Sequence, residues 1–226
     1  MKFLFLPLLI GLLILQACAK DEKILPAEEY FTEAMEFIED EYYLQAQESL
    51  DKLNSYHPFS KYVEQALLES MFANYKLGDY LPAMNTADRF IRLFPDHEQI
   101  DYAYYVRGLS LYDQGRGIVQ NKFKNGAVSR DLEKVKHAFK EFAIVVNNYP
   151  DSVFKGESLQ YMVHIRNMLA LHEVRVGQFY LDLGAYLSAA NRARYVLLNF
   201  ADTSSYADAQ KLHEDALKHM TIESQL

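Results

Sequence analysis

The chain has 226 residues, half of them hydrophobic, enough to bury a sizeable core as one large domain or two small ones. A formal net charge of −8 argues against nucleic acid as the main partner, because gripping a polyanion needs a basic surface. Nine glycines and six prolines are few for an all-β chain built on tight turns, and a single cysteine, Cys18, excludes an internal disulfide.

In chain order, Met1 and Lys2 form a short positive start, and Phe3 to Leu15 is an apolar run broken only by Pro7 and Gly11. The run is too short to span a bilayer, which takes about 20 residues. It fits the apolar region of a secretory signal ahead of a small-residue cleavage site. Leu15-Gln16-Ala17-Cys18 resembles the bacterial lipoprotein signal, with Gln16 departing from the small or aliphatic residue usual there. That resemblance implies removal of residues 1–17 and acylation of Cys18 as the new N-terminus. Ala19, rather than Asp, after the cysteine implies passage to the outer membrane by the same resemblance. Residues 18–26 then read as a lipidated linker.

From Ala27 onward apolar residues recur at helical spacing, and one pattern appears four times. A small residue is followed at +4 and +7 by further apolar ones and at +12 by proline. The copies are Ala46, Leu50, Leu53, Pro58; Ala83, Ala87, Phe90, Pro95; Ala138, Phe142, Val145, Pro150; and Ala189, Ala193, Val196, with Ala201 in place of the last proline. Tyr43, Tyr80 and Tyr186 precede three of the leading alanines, and Val135 the other. The alanine lets a neighbouring helix approach, the +4 and +7 residues fill the groove on the same face, and proline ends the helix. Asp96, Asp151 and Asp202 are expected to cap the helices that follow. This is the tetratricopeptide pattern, a helix pair of about 34 residues that stacks into a solenoid.

The expected architecture is therefore all-α: a tetratricopeptide-like right-handed helical solenoid of about four and a half repeats. Its repeats are expected at 27–60, 61–97, 98–152 with an inserted loop at 118–130, 153–203 with a long first helix, and 204–226 as an incomplete cap. In that cap Tyr206, Ala209, Leu212, Ala216 and Met220 share one helix face.

No catalytic, metal or cofactor site is expected. His213 and His219 lie six apart, on different helix faces, whereas the metalloprotease helix needs two histidines four apart. "DQGRGIVQ" lacks the lysine and spacing of a phosphate loop, and no nucleophile, base and orienting group come together. Exposed acidic runs such as Glu39-Asp40-Glu41 read as solvated helix faces. What the repeats offer instead is a groove. The first helix of each lines the concave side, bringing Phe31, Met35 and Ile38, then Leu68, Phe72 and Tyr75. Such a groove suits the alternating apolar side chains of a nascent β-strand. The same six residues equally suit the core between repeats.

The order of these segments resembles the BamD family of the bacterial machinery that assembles outer-membrane β-barrels. The resemblance is carried by "NSYHPFSKYVEQALLESMFANYKLGDYLPAMNTADRFIRLFPDH" (54–97), "DYAYYVRGLSLYDQ" (101–114), "HAFKEFAIVVNNYPDS" (137–152) and "EVRVGQFYLDLGAYLSAANRARYVLLNFADT" (173–203). Ala201 departs from the family's proline, and the family's usual final helix has no counterpart. The resemblance implies a lipid-anchored scaffold on the periplasmic face of the outer membrane. Its implied partners are the periplasmic repeat domains of the central barrel subunit, unfolded outer-membrane proteins and other assembly lipoproteins. It assigns the contact to the central subunit to Asn191 and Arg192. Arginine suits such a contact because its planar fork grips a carboxylate at two points. The alternative for Arg192 is a solvated helix charge. The alternative for the chain is a tetratricopeptide lipoprotein serving peptidoglycan-processing or division enzymes. A glycan-capturing lipoprotein is disfavoured because the chain has no tryptophan.

Overall fold

The computed structural model describes residues 23–124 and 132–223. The leader, Cys18 and residues 125–130 of the expected loop lie outside the described residues. Within them the chain forms nine α-helices and no strand: α1 (Ala27–Glu39), α2 (Tyr43–Tyr56), α3 (Val63–Leu77), α4 (Tyr80–Leu93), α5 (Ile100–Lys124), α6 (Glu133–Asn148), α7 (Lys155–Asp182), α8 (Tyr186–Asn199) and α9 (Tyr206–Glu223). Each helix packs on the next, and α3 also meets α5 as α7 meets α9. The first helices of those neighbouring repeats therefore lie side by side, as in a tetratricopeptide solenoid.

The repeated small and apolar residues explain this order. All twelve residues at the leading, +4 and +7 positions are fully buried, from Ala46, Leu50 and Leu53 to Ala189, Ala193 and Val196. Ala34 and Met71 face them from the partner helices with no exposure. Gly177 takes that place in α7. A Cβ there would lie 2.6 Å from Leu212 Cδ2 and 3.2 Å from the Arg192 Cβ, so only glycine lets α7, α8 and α9 meet this closely.

The turns within repeats share one hydrogen-bond scheme. Gly78 and Gly184 adopt positive φ of 77° and 75°. The Gly78 and Asp79 amides donate to Tyr75 O and Asn74 O, and the Gly184 and Ala185 amides to Leu181 O and Tyr180 O. This left-handed cap satisfies the last helix carbonyls. In the first repeat Glu41 takes the same conformation, with φ of 61°, and the amides of Glu41 and Tyr42 make the equivalent bonds to Ile38 O and Phe37 O.

The turns between repeats correct one expectation. The helices do end two residues before Pro58, Pro95, Pro150 and Ala201. However, Asp96, Asp151 and Asp202 do not cap the next helices. The amides of Gln99 and Phe154 instead donate to His97 Nδ1 and Ser152 Oγ, two residues earlier in each case, as the Tyr62 amide does to Ser60 Oγ in the first turn, and Asp202 accepts from Arg166 Nε at 3.0 Å. A side chain at that position reaches its own turn more directly than the aspartate before it does. The third repeat also differs from expectation: α5 continues to Lys124, so residues 118–124 are helical rather than loop. The first helix of the fourth repeat, α7, runs for 28 residues.

Candidate functional site

Arg192 lies on α8, one turn after the buried Ala189. Its guanidinium Nη1 donates to Glu173 Oε2 of α7 at 2.8 Å. The bond to Glu173 holds the Arg192 pKa above its ordinary value, outweighing partial burial. Glu173 is mostly buried, whereas Arg192 is nearly half exposed, and Asn191 beside it is exposed. The expected docking arginine therefore already holds a carboxylate of its own chain. An incoming carboxylate has to share the guanidinium fork with Glu173 or displace it. His172, next to Glu173, is buried, and that burial holds its imidazole below the usual pKa.

The six groove candidates divide. Leu68 is buried in the core, and Phe31 stacks on Tyr62 at 5.2 Å between the first and second repeats. Met35 and Ile38 are half-buried on α1. Tyr75 donates its hydroxyl to Asp113 Oδ2 of α5 at 2.8 Å, an inter-repeat bond, and burial raises its pKa first of all. Phe72 meets Tyr43 edge-on at 5.7 Å, with Lys76 Nζ 5.5 Å from its ring centroid.

Leu68 and Phe72 also line a cleft of about 520 Å3 between α3, the start of α5 and the turn that leads into α7. Its apolar lining is completed by Tyr102 of α5 and by Val153 and Phe154 before α7. Phe154 is held by stacking on Tyr105 at 4.7 Å and by Tyr102 at 5.4 Å. Glu69, Glu98, Asp101 and Asp151 border the cleft. Burial, and then the charge of Glu69, push the Tyr102 phenol above its ordinary pKa, so it stays neutral. The cleft thus combines an apolar floor with an acidic border.

The sequence reading missed Tyr102, Val153 and Phe154. Phe154 was findable, because it stands four residues after its turn proline, as Tyr62 does after Pro58. It also missed Arg107 of α5, which donates from Nη1 to Asp88 Oδ1 on α4 and from Nε and Nη2 to Glu141 Oε2 on α6. Among the described residues no group of His, Cys, Asp or Glu is arranged to hold a metal, and no helix is long and apolar enough to cross a membrane.

Known proteins place this architecture. The chain is similar to proteins named outer membrane protein assembly factor BamD from three bacteria. It is 32% identical to that of Pasteurella multocida over 91% of this chain and 80% of the relative. It is 30% identical to that of Vibrio cholerae, over 98% and 93%. It is also 30% identical to that of Neisseria meningitidis serogroup B, over 97% and 85%. The family described as "YfiO: Outer membrane lipoprotein" matches residues 24–226, which is the whole helical array, and the chain belongs to that family.

Proposed function

We propose that this protein is an outer-membrane lipoprotein scaffold for β-barrel assembly. Acylated Cys18 holds it to the membrane on the periplasmic side. The cleft between α3, α5 and α7 receives extended segments of unfolded outer-membrane proteins, and the α8 surface around Asn191 and Arg192 docks the periplasmic domains of the central barrel subunit. The assembly-factor relatives, similar along nearly the whole chain, are the observation that carries this reading. The apolar part of the cleft lining agrees with it, because an extended unfolded segment needs apolar surface to rest on.

The test is affinity purification from detergent-solubilised envelopes. A large β-barrel subunit with tandem periplasmic domains is expected to co-purify. Recovery of peptidoglycan-processing or division enzymes in its place sinks the reading. Arg192→Glu is expected to weaken the association, but it also sets two carboxylates against each other at Glu173. The double exchange Glu173→Arg with Arg192→Glu restores the internal pair while leaving the exposed charge reversed. If Arg192 docks the partner, the exchanged protein folds normally and still binds at least about tenfold more weakly, as for loss of a charge-assisted contact. Full binding by the exchanged protein assigns the pair to folding alone.

A further inference from the structure

The first turn between repeats breaks the pattern of the others. After the position of Pro58, Pro95, Pro150 and Ala201, three copies continue with aspartate: Asp96, Asp151 and Asp202. The first continues with Phe59, which is 98% exposed. A solvated phenylalanine at a turn where every sister copy carries a charge is not explained by packing. It is also not isolated, since Tyr56 and Ile24 are exposed large apolar residues of the same corner.

That corner is where the chain enters the fold. His57 Nε2 donates to Leu25 O at 2.8 Å, and Leu25 N donates to the Tyr30 hydroxyl at 3.2 Å. The Tyr30 ring in turn stacks near Tyr56, at 6.2 Å. The entering segment at Leu25 is therefore strapped to the turn that carries Phe59. Cys18 lies only seven residues before Leu25, so a fully extended tether spans no more than about 25 Å. Exposed Lys23 and Lys61 flank the apolar residues, and exposed Glu28 and Glu29 stand close in sequence at the start of α1. The corner is mixed in charge, so apolar and aromatic side chains, rather than net charge, would make its contact with a surface. Aromatic rings flanked by lysines are what a membrane interface accepts.

We propose that this corner is a lipid-binding surface, in which Phe59, with Ile24 and Tyr56, rests in the interfacial layer of the bilayer beside the acyl anchor. The inference rests on acylation at Cys18, the anchor of the function proposed above. The anchor supplies attachment. The corner fixes how the solenoid stands on the membrane, because a tether alone leaves rotation free.

The absence of tryptophan makes a clean test possible. Full-length Phe59→Trp protein, processed in cells, is reconstituted into vesicles of phosphatidylethanolamine and phosphatidylglycerol, with and without a lipid-borne fluorescence quencher. Ile24→Trp serves as a second probe in the corner. Leu187→Trp, exposed in the first turn of α8, serves as the comparison. The expected result is blue-shifted emission at positions 59 and 24, largely lost to the quencher, and unquenched emission at 187. The contact should persist when phosphatidylglycerol is omitted. Vesicle-bound protein whose probes at 59 and 24 stay in water overturns the proposal and leaves the anchor intact. Blue-shifted emission insensitive to the quencher also overturns it, because protein rather than lipid then covers the corner. Mass spectrometry of the N-terminal peptide separates the premise: an unmodified Cys18 overturns the anchor, and this proposal with it.

Discussion

Glu41 holds a backbone conformation that the two equivalent turns assign to Gly78 and Gly184. A side chain in the left-handed region costs about 1–2 kcal/mol that glycine avoids, partly offset by glycine's greater freedom in the unfolded chain. Glu41→Gly is therefore expected to stabilise the fold by about 0.5–1 kcal/mol, read as a higher urea midpoint with an unchanged slope. A lower midpoint means that the Glu41 side chain contributes more than its backbone strain removes. His172 makes the stability depend on pH. Burial lowers its folded pKa, Glu173 raises it, and Arg192, Lys136 and Arg175 lower it further. Above the unfolded value of about 6.5 both states are neutral and stability is complete. As pH falls through that value the unfolded chain takes up the proton first, so stability is lost downward from there. Denaturation between pH 7.5 and 5.5 is expected to show this loss, and His172→Gln is expected to shrink it. An unchanged pH profile in the variant removes His172 as a source.

Between elements, the most consequential side chain is Arg107, which ties α5 to α4 through Asp88 and to α6 through Glu141. Its ring-facing contact with Tyr104, at 5.1 Å, adds a third partner. Burial alone would lower the guanidinium pKa, but hydrogen bonds to Glu141 and Asp88 outweigh it and hold the charge. Arg107→Ala leaves Glu141 mostly buried and unpaired and is expected to cost about 2–3 kcal/mol. Calorimetry checks this, and a loss below about 0.5 kcal/mol reduces the clamp to a surface pair. Such a clamp is hard to read from sequence because its partners lie far apart along the chain and charge carries no helical period. The helices themselves were legible, since Ala46, Ala83, Ala138 and Ala189 announce where neighbouring helices must touch. The cleft was only half legible. Leu68 and Phe72 follow from the helix face, but Tyr102 and Phe154 reach it only through the stacking of three repeats. Nor does sequence alone reveal that Arg192 is already partnered by Glu173, because that contact depends on Gly177 bringing α7 and α8 together.

Over the whole molecule the core is unevenly built. From α1 to the middle of α7 one continuous cluster contains Leu50, Leu67, Met71, Phe90, Phe142 and Ile165, all essentially without exposure. Beyond it lie two smaller clusters made mainly of alanine, Ala170, Ala189, Ala190, Ala209 and Ala216, with Val196 and Phe200 the larger members, and Val176, Ala193 and Leu212 are also buried in this half. Apolar burial contributes about 25 cal/mol per Å2, so an alanine seam holds less than a phenylalanine seam of equal length. In a solenoid each helix is supported mostly by its neighbours, and a weak end opens without unfolding the rest. Native-state hydrogen exchange is therefore expected to run about 10–100-fold faster in α8 and α9 than in α3 and α4, a difference of about 1.4–2.8 kcal/mol in opening free energy. Equal protection throughout instead means that the long α7 joins both parts into one cooperative unit. The weak end is also the end that carries Asn191 and Arg192. A partner docking there binds only the closed form and so stabilises it by mass action. Exchange in α8 and α9 should slow on binding while α3 and α4 stay unchanged. Slowing confined to α3 and the start of α5 would move the docking surface to the cleft instead.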